Sequence, residues 1–265
     1  MNPPRLLALD FDGVVSDSAP ESFVVALRTS CALSDAPFPD AARGLAQRRA
    51  PTLEEVMSCP VYEPFLTAMP LGNRAEDFGV VLAALATGAP LQEQADYDAQ
   101  LALHSEAWRR TFHTRFYEER VRLREEDPAA WLALMAPYPL FLEVLRRRAG
   151  DVELAIATAK DSESVYALLS AYGVLDLFPP ARVVDKAAGR SKVAHLGLLA
   201  ERTGAAYSEM LFIDDKVNHL DAVAALGVRC ALAAWGYNGD REEALARDRG
   251  YGVCSLADAE AQIFG

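Results

Sequence analysis

The sequence predicts an α/β fold: a Rossmann-like parallel sheet core with helices on both faces, interrupted by an inserted all-helical cap domain. Three observations carry this. The apolar run Leu6 to Leu9 stops at Asp10-Phe11-Asp12-Gly13, as a buried strand does when it ends in a turn. After Pro139 short apolar runs alternate regularly with amphipathic stretches, the pattern of a parallel sheet with helical crossovers. Between these two regions helical periodicity dominates and no strand alternation stands out.

Taken in order, the first strand is Leu6 to Leu9. Helical patterns come next over Glu21 to Ser30, Glu76 to Ala86 and the long stretch Glu93 to Arg124. Turn signals at Pro37-Phe38-Pro39, Pro70-Leu71-Gly72-Asn73 and Gly88-Ala89-Pro90 separate them. A helix over Leu140 to Arg148 precedes a strand over Glu153 to Ala157. The helix Ser162 to Tyr172 stops at Gly173, a plausible C-terminal cap. A strand over Arg182 to Val184 and a helix over Lys192 to Arg202 come next, with Gly204 just beyond. Strand Met210 to Ile213, helix Asn218 to Leu226, and strands Val228 to Ala233 and Gly252 to Cys254 complete the series. A connection of about 120 residues cannot be a plain loop, so it forms a domain of its own. The expected division is residues 1–16 with 138–265 as the core, and 17–137 as the helical cap.

The chain has 265 residues, about half of them apolar, and a formal net charge of −12. That charge repels nucleic acid and anionic membranes at long range, so neither is an expected partner. An acidic chain that binds phosphate needs local cations to do so. Cys31, Cys59, Cys230 and Cys254 form no CxxC pair, which fits reduced thiols rather than a disulfide framework or a zinc site. The apolar stretch before Asp10 is too short for a signal peptide, and no run is long enough to span a bilayer. A cytoplasmic protein, monomer or homodimer, is the expectation.

Ligands of open parallel sheets bind outside the C-terminal strand ends. Those ends supply Asp10 and Asp12, then Thr158, then Asp214 and Asp215, while Lys192 opens a helix beside Ser191, which looks like its cap. Asp10 and Asp12, two apart on extended backbone, project to the same side. Carboxylates so close do not ionise comfortably together without a cation. With Asp214 and Asp215 they make a set suited to a hard divalent ion, and Mg2+ fits it. Gly13 permits the tight turn that lifts both side chains out of the sheet. The Thr158 hydroxyl and the next backbone N–H, that of Ala159, can hold a phosphate oxygen. Lys192 at a helix start opposes the helix dipole, which is explained if its ammonium neutralises an aspartate or a phosphate.

These residues resemble the four motifs of the haloacid dehalogenase superfamily. Asp10-Phe11-Asp12-Gly13-Val14 is similar to the first, Thr158 to the second, Lys192 to the third and Phe212-Ile213-Asp214-Asp215 to the fourth. The resemblance covers the α/β core and implies that Asp10 attacks phosphorus to give an aspartyl-phosphate. It implies that Asp12 protonates the leaving oxygen and then deprotonates water. It further implies Mg2+ held by Asp10, the Asp12 backbone carbonyl and Asp215, with Asp214 as the second, adjacent acid. Many members carry an acid four residues after the last ligand, and here that position is His219. Asp221 is expected to face elsewhere, and Lys186 is a weaker rival to Lys192.

Within the resemblance, Asp12 favours phosphoryl chemistry over dehalogenation. The first lysine of the chain is Lys160, so the cap has none to serve as the Schiff base of the phosphonatase branch. An insertion after the first motif resembles the helical-cap members, which include phosphoglycolate phosphatases and β-phosphoglucomutases. Trp235-Gly236-Tyr237-Asn238 and Ser255-Leu256-Ala257-Asp258 look like the phosphoglycolate phosphatase-like group. The implied activity is hydrolysis of a small phosphorylated metabolite. A phosphotransferase or mutase is the alternative, and a non-catalytic binding protein a more distant one. Substrate contacts are expected from Gly13 and Ala159 in the core and from Arg43 and Asn73 in the cap, although Arg43, Arg48 and Arg49 also read as solvated helix charges. His104, His113 and His195 read as surface or packing residues. Trp108, Phe112 and Phe116 read as core.

Overall fold

Four apolar residues with no polar interruption suit a strand covered on both faces, and Leu6–Leu9 (β1) is such a strand: all four side chains are fully buried. The computed structural model describes residues 3–72, 74–189 and 191–265. The later strands are Ser16–Asp17 (β2), Ala136–Pro137 (β3), Glu153–Ala157 (β4), Val183–Val184 (β5), Met210–Asp214 (β6), Arg229–Ala233 (β7) and Gly252–Cys254 (β8). Five of these join β1 in one parallel sheet in the order β5-β4-β1-β6-β7-β8, and β2 with β3 makes a separate two-stranded sheet.

The register decides which residues meet beyond the strand ends. Leu9 pairs with Ile156 on one side and Ile213 on the other, so Asp10 stands level with the last residues of β4 and β6. The order reverses about β1: the chain builds outward through β4 and β5, then returns to add β6, β7 and β8 on the opposite side. That reversal is the topological switch point of an open α/β sheet. Leu6, Ala8, Ala155, Ala157 and Phe212 face helices Lys192–Thr203 and Val217–Ala224 through Leu196, Leu199 and Leu220.

The chain divides into two compact units, Met1–Asp17 with Pro137–Gly265, and Ser18–Ala136. The second is helical, with its longest helices over Ala19–Leu33, Ala75–Thr87 and Glu106–Glu126. The stretch expected as one helical region, Glu93 to Arg124, is two helices, Gln94–Ala102 and Glu106–Glu126. Ser105 caps the second by accepting from the Trp108 N–H, and a capping serine read as helix interior is what hid the break. Arg182, expected in a strand, instead ends a 3₁₀ turn opened by Pro180. The helix Asp240–Asp248 is not predicted from the sequence; its face is mostly charged and buries only Ala246. Phe112 and Phe116 are core, as their spacing suggests, and Gly79 lets the Phe112 ring approach so closely that a Cβ would lie 2.6 Å from it.

Within the helical unit Arg120 makes two 2.7 Å bonds to Glu21, whose carboxylate is fully buried. The Trp131 indole N–H adds a third contact at 3.4 Å. Removing one partner of such a pair strands a buried charge. Arg120→Met should therefore lower stability by about 3–5 kcal/mol, while Glu21→Gln combined with Arg120→Met should cost much less. Urea unfolding midpoints at unchanged slope check this.

Candidate active site

Two strands and one helix start bring the charged residues together. Asp10 comes directly after β1, and its backbone N–H donates to the Ile213 carbonyl, which continues the sheet register by one residue. Asp214 closes β6 and Asp215 is the next residue. Lys192 opens the helix Lys192–Thr203, and its stem runs inward so that the ammonium is buried. That ammonium lies 2.8 Å from Asp10 Oδ1 and 3.2 Å from Asp214 Oδ2, and donates to the Ala157 carbonyl at 2.8 Å. The ion pairs offset the unfavourable helix-start position of a lysine. Ser191 occupies the cap position but makes no side-chain capping bond, contrary to expectation. Lys186, the weaker rival, is exposed in a 3₁₀ turn.

The three buried aspartates have different surroundings. Burial raises the Asp10 pKa to about 6, against the pull of Lys192. Burial also works to raise Asp214, yet His219 and Lys192 outweigh it and hold this carboxyl well below the usual range. Both Asp214 oxygens lie 3.0 Å from His219 Nδ1, and Oδ1 also accepts from the Lys216 N–H at 2.9 Å. Asp215 is the opposite case. Burial drives its pKa well above the carboxylate range, against the pull of the neighbouring Lys216 charge. Its contacts come from the chain after β7: the Tyr237 N–H donates to Oδ2 at 3.0 Å, and Asn238 Nδ2 donates to its carbonyl at 3.1 Å and to that of Ala233 at 2.9 Å. Among the described residues no ion pair reaches Asp215.

Asp12 is served by a different ammonium. Lys160 Nζ lies 2.8 Å from Asp12 Oδ1, and the lysine side chain has no exposed surface. Thr158 is buried at the end of β4, its N–H held by the Val184 carbonyl, and its Oγ1 accepts from the Lys160 N–H at 3.1 Å. Among the described residues no group accepts from the N–H of Ala159, which sits at the exposed tip of this turn. Gly13 has φ +81°, and its N–H closes the turn onto the Ser16 carbonyl; a Cβ there would lie 2.6 Å from Asp215 Oδ2.

The core residues singled out in the sequence thus lie around the ends of β1, β4 and β6. Asp10, Asp214 and Lys192 touch directly. Arg43 belongs to the helical unit, where it donates to the Phe38 carbonyl and pairs with Asp40, while Arg48 pairs with Glu55. Asn73 lies outside the described residues. Asp221 turns away from the site, accepting from the Tyr251 hydroxyl at 2.7 Å. Sequence reasoning did not single out Lys160 or Lys216 for the site. The signal was present in a chain with only four lysines, two of them directly after site motifs.

A cation has two candidate positions. Ligand atoms of Asp10, Asp214 and His219 lie within 4.8 Å of one another. Lys192 already stands between Asp10 and Asp214, however, and Asp214 has donors on both oxygens. Among the described residues Asp215 is the buried site carboxylate that forms no salt bridge, with the neighbouring Lys216 charge acting on it from a distance. A second cation beside Asp10 and Asp215 fits this donor set better, since it would relieve two buried carboxyls at once. The hydroxyl of Thr158 and the Ala159 N–H supply donors for an anionic oxygen, while the three protons of the Lys192 ammonium are taken up by Asp10, Asp214 and the Ala157 carbonyl.

The haloacid dehalogenase-like hydrolase family model matches residues 4–227. No curated protein is similar enough to count as a match. Solved structures share the fold along nearly the whole chain. A predicted phosphoglycolate phosphatase from Haemophilus somnus is 20% identical, with 97% of each chain covered and a TM-score of 0.62. A haloacid dehalogenase-like family hydrolase from Streptococcus pneumoniae is 13% identical, with 97% of each covered and a TM-score of 0.58. A predicted phosphatase from Clostridium acetobutylicum is 12% identical, with 99% of each covered and a TM-score of 0.57.

Gly236 tests the packing around Asp215. A Cβ at this position would lie 2.3 Å from the Asp215 Cβ and 2.5 Å from the Gly13 carbonyl oxygen. Gly236→Ala should lower Tm by several degrees, a loss of roughly 1–3 kcal/mol from overpacking. Gly44→Ala, on an exposed helix with open space around it, should leave Tm unchanged or slightly raised.

Proposed function

The chain belongs to the haloacid dehalogenase-like hydrolase family, and we propose that it is a Mg2+-dependent phosphatase that hydrolyses a small phosphorylated metabolite through an aspartyl-phosphate on Asp10. The observation that carries this reading is the buried carboxylate of Asp10, held at 2.8 Å by Lys192 and accompanied by Asp215, a buried carboxyl with no ion pair among the described residues. A nucleophilic carboxylate needs its charge present but not smothered. One ammonium on one oxygen, together with burial, meets both needs.

The proposed roles derive from position. The Thr158 hydroxyl and the Ala159 N–H bind the phosphoryl oxygens, and the positive charge of Lys192, hydrogen-bonded to Asp10 itself, stabilises the charge that develops as the bond to phosphorus changes. Asp10 attacks phosphorus while the leaving oxygen takes a proton from Asp12, which gives the alcohol product and a phosphoryl group on Asp10. Asp12 then removes a proton from water as that water attacks phosphorus. Inorganic phosphate leaves and both aspartates return to their starting forms. Mg2+, held by Asp10, the Asp12 backbone carbonyl and Asp215, would supply charge stabilisation for the phosphoryl oxygens when bound. Asp214 serves this arrangement indirectly by fixing Lys192 and His219. Gly13 contributes by leaving the space that Asp215 occupies.

No helix among the described residues is long and apolar enough to cross a membrane. The fold shared with a predicted phosphoglycolate phosphatase agrees with a small phosphorylated substrate. The reading is tested by release of inorganic phosphate from p-nitrophenyl phosphate and from a panel of phosphorylated small metabolites. Asp10→Asn should reduce the rate by at least about 10³-fold, and chelation should abolish it reversibly, with Mg2+ restoring it. Phosphate release that survives Asp10→Asn, or is indifferent to chelator, would exclude the mechanism.

A further inference from the structure

We propose that Lys160 is a positioning residue for Asp12, fixing the orientation of the carboxyl that exchanges protons with the leaving group and with water. The inference rests on the reading of Asp12 as the acid and base of the reaction.

The geometry is unusual for a lysine. Its side chain has no exposed surface, although ammonium groups are almost never wholly withdrawn from water without a partner. The partner is Asp12 Oδ1 at 2.8 Å, on a side chain that is itself 31% exposed. The cation is the buried member and the carboxylate the accessible one. Here the buried ammonium works as a fixed post to which a half-exposed, reactive carboxyl is tied.

The post is itself anchored. Lys160 ends the turn Thr158-Ala159-Lys160, its N–H donates to Thr158 Oγ1, and its carbonyl accepts from the Lys186 N–H at 3.4 Å. The same three-residue turn therefore carries two proposed phosphate donors and the group that holds Asp12. Setting Asp12 relative to the phosphoryl group becomes a local property of the end of β4. Reacting atoms gain rate from such fixed geometry, and a displacement of about 1 Å can cost about 10²-fold.

Lys160 takes no part in the proton transfers. The proton received by the leaving oxygen comes from the Asp12 carboxyl as the Asp10–phosphorus bond forms and the ester bond breaks, and water later returns a proton to Asp12. Loss of the post should therefore appear wherever the leaving group depends on that proton.

The experiment compares phenyl phosphate with p-nitrophenyl phosphate, which are similar in size but differ in how well the leaving oxygen departs unprotonated. The ratio of kcat/KM for p-nitrophenyl to phenyl phosphate reports the proton donation, because kcat/KM includes steps only through formation of the phosphoryl-enzyme. Lys160→Met should raise this ratio by about 10-fold or more, a part of the roughly 10²–10⁴-fold that a positioned acid contributes. Asp12→Asn should raise it further, and the Lys160→Met, Asp12→Asn double variant should match Asp12→Asn alone. A merely structural lysine would slow both substrates equally and leave the ratio unchanged. If Asp12→Asn raises the ratio and Lys160→Met does not, or if the two effects simply add, the positioning role is overturned while the assignment of Asp12 stands. If Asp12→Asn leaves the ratio unchanged, the acid–base reading of Asp12 fails and this inference fails with it. Should Lys160→Met not fold, Lys160→Arg gives the same comparison, because the larger planar head cannot reproduce a point contact in a closed site.

Discussion

The Lys192 ammonium is the interaction on which the rest of the site depends. The parallel register sets Asp10 beside Asp214 at the ends of adjacent strands, and both are buried. Two carboxylates taken out of water side by side cost several kcal/mol each unless a cation compensates them. Lys192 compensates both, and the burial that works to lower its own pKa is more than offset by the two aspartates. The helix Lys192–Thr203 therefore has to pack where it does: its first residue neutralises the sheet edge while Leu196 and Leu199 cover the sheet face.

Charge is then shared unequally along that edge, and the inequality gives the site its proposed chemistry. Asp214 takes Lys192, His219 and a backbone N–H, so its electrostatic needs are met within the protein. Asp215 accepts a backbone N–H from the chain after β7 and has no salt bridge among the described residues, although the Lys216 charge acts on it, and Gly236 and Gly13 both lack the Cβ that its side chain would strike. Two adjacent residues of one type thus have opposite surroundings: one braces the lysine beside Asp10, and under the proposed mechanism the other would take an external cation. Having His219 in place of an acid changes the bracing and leaves the open carboxylate alone.

Much of the core was legible in the sequence, for identifiable reasons. Leu6 to Leu9, Leu154 to Ala157 and Met210 to Ile213 are uninterrupted apolar runs that stop at polar residues, and a parallel sheet puts those stops on one edge. Glycines at positive φ, Gly173 and Gly204, marked helix ends that the structure places within a residue or two of the expectation. What the sequence concealed has physical causes as well. Lys160 was not singled out because its depth depends on how the turn after β4 folds over the sheet edge. The contact between His219 and Asp214 depends on how the helix Val217–Ala224 leaves β6, which residue spacing alone does not give. The interruption at Leu103 to Ser105 was lost because three residues without Gly or Pro do not break a helical pattern by eye. Arg43 shows the converse: an arginine suggestive of substrate contact is bound locally to its own helix start.

Identifying the atom that carries the phosphoryl group tests the central claim most directly. The enzyme is quenched in acid during turnover of p-nitrophenyl phosphate with Mg2+, reduced with borohydride to convert an acyl phosphate to an alcohol, and mapped by peptide mass spectrometry. The account predicts reduction of a single aspartate, Asp10, to homoserine, dependent on substrate and absent in Asp10→Asn. Reduction at another carboxylate, or a phosphoryl group found on a serine, threonine or histidine during active turnover, would contradict it.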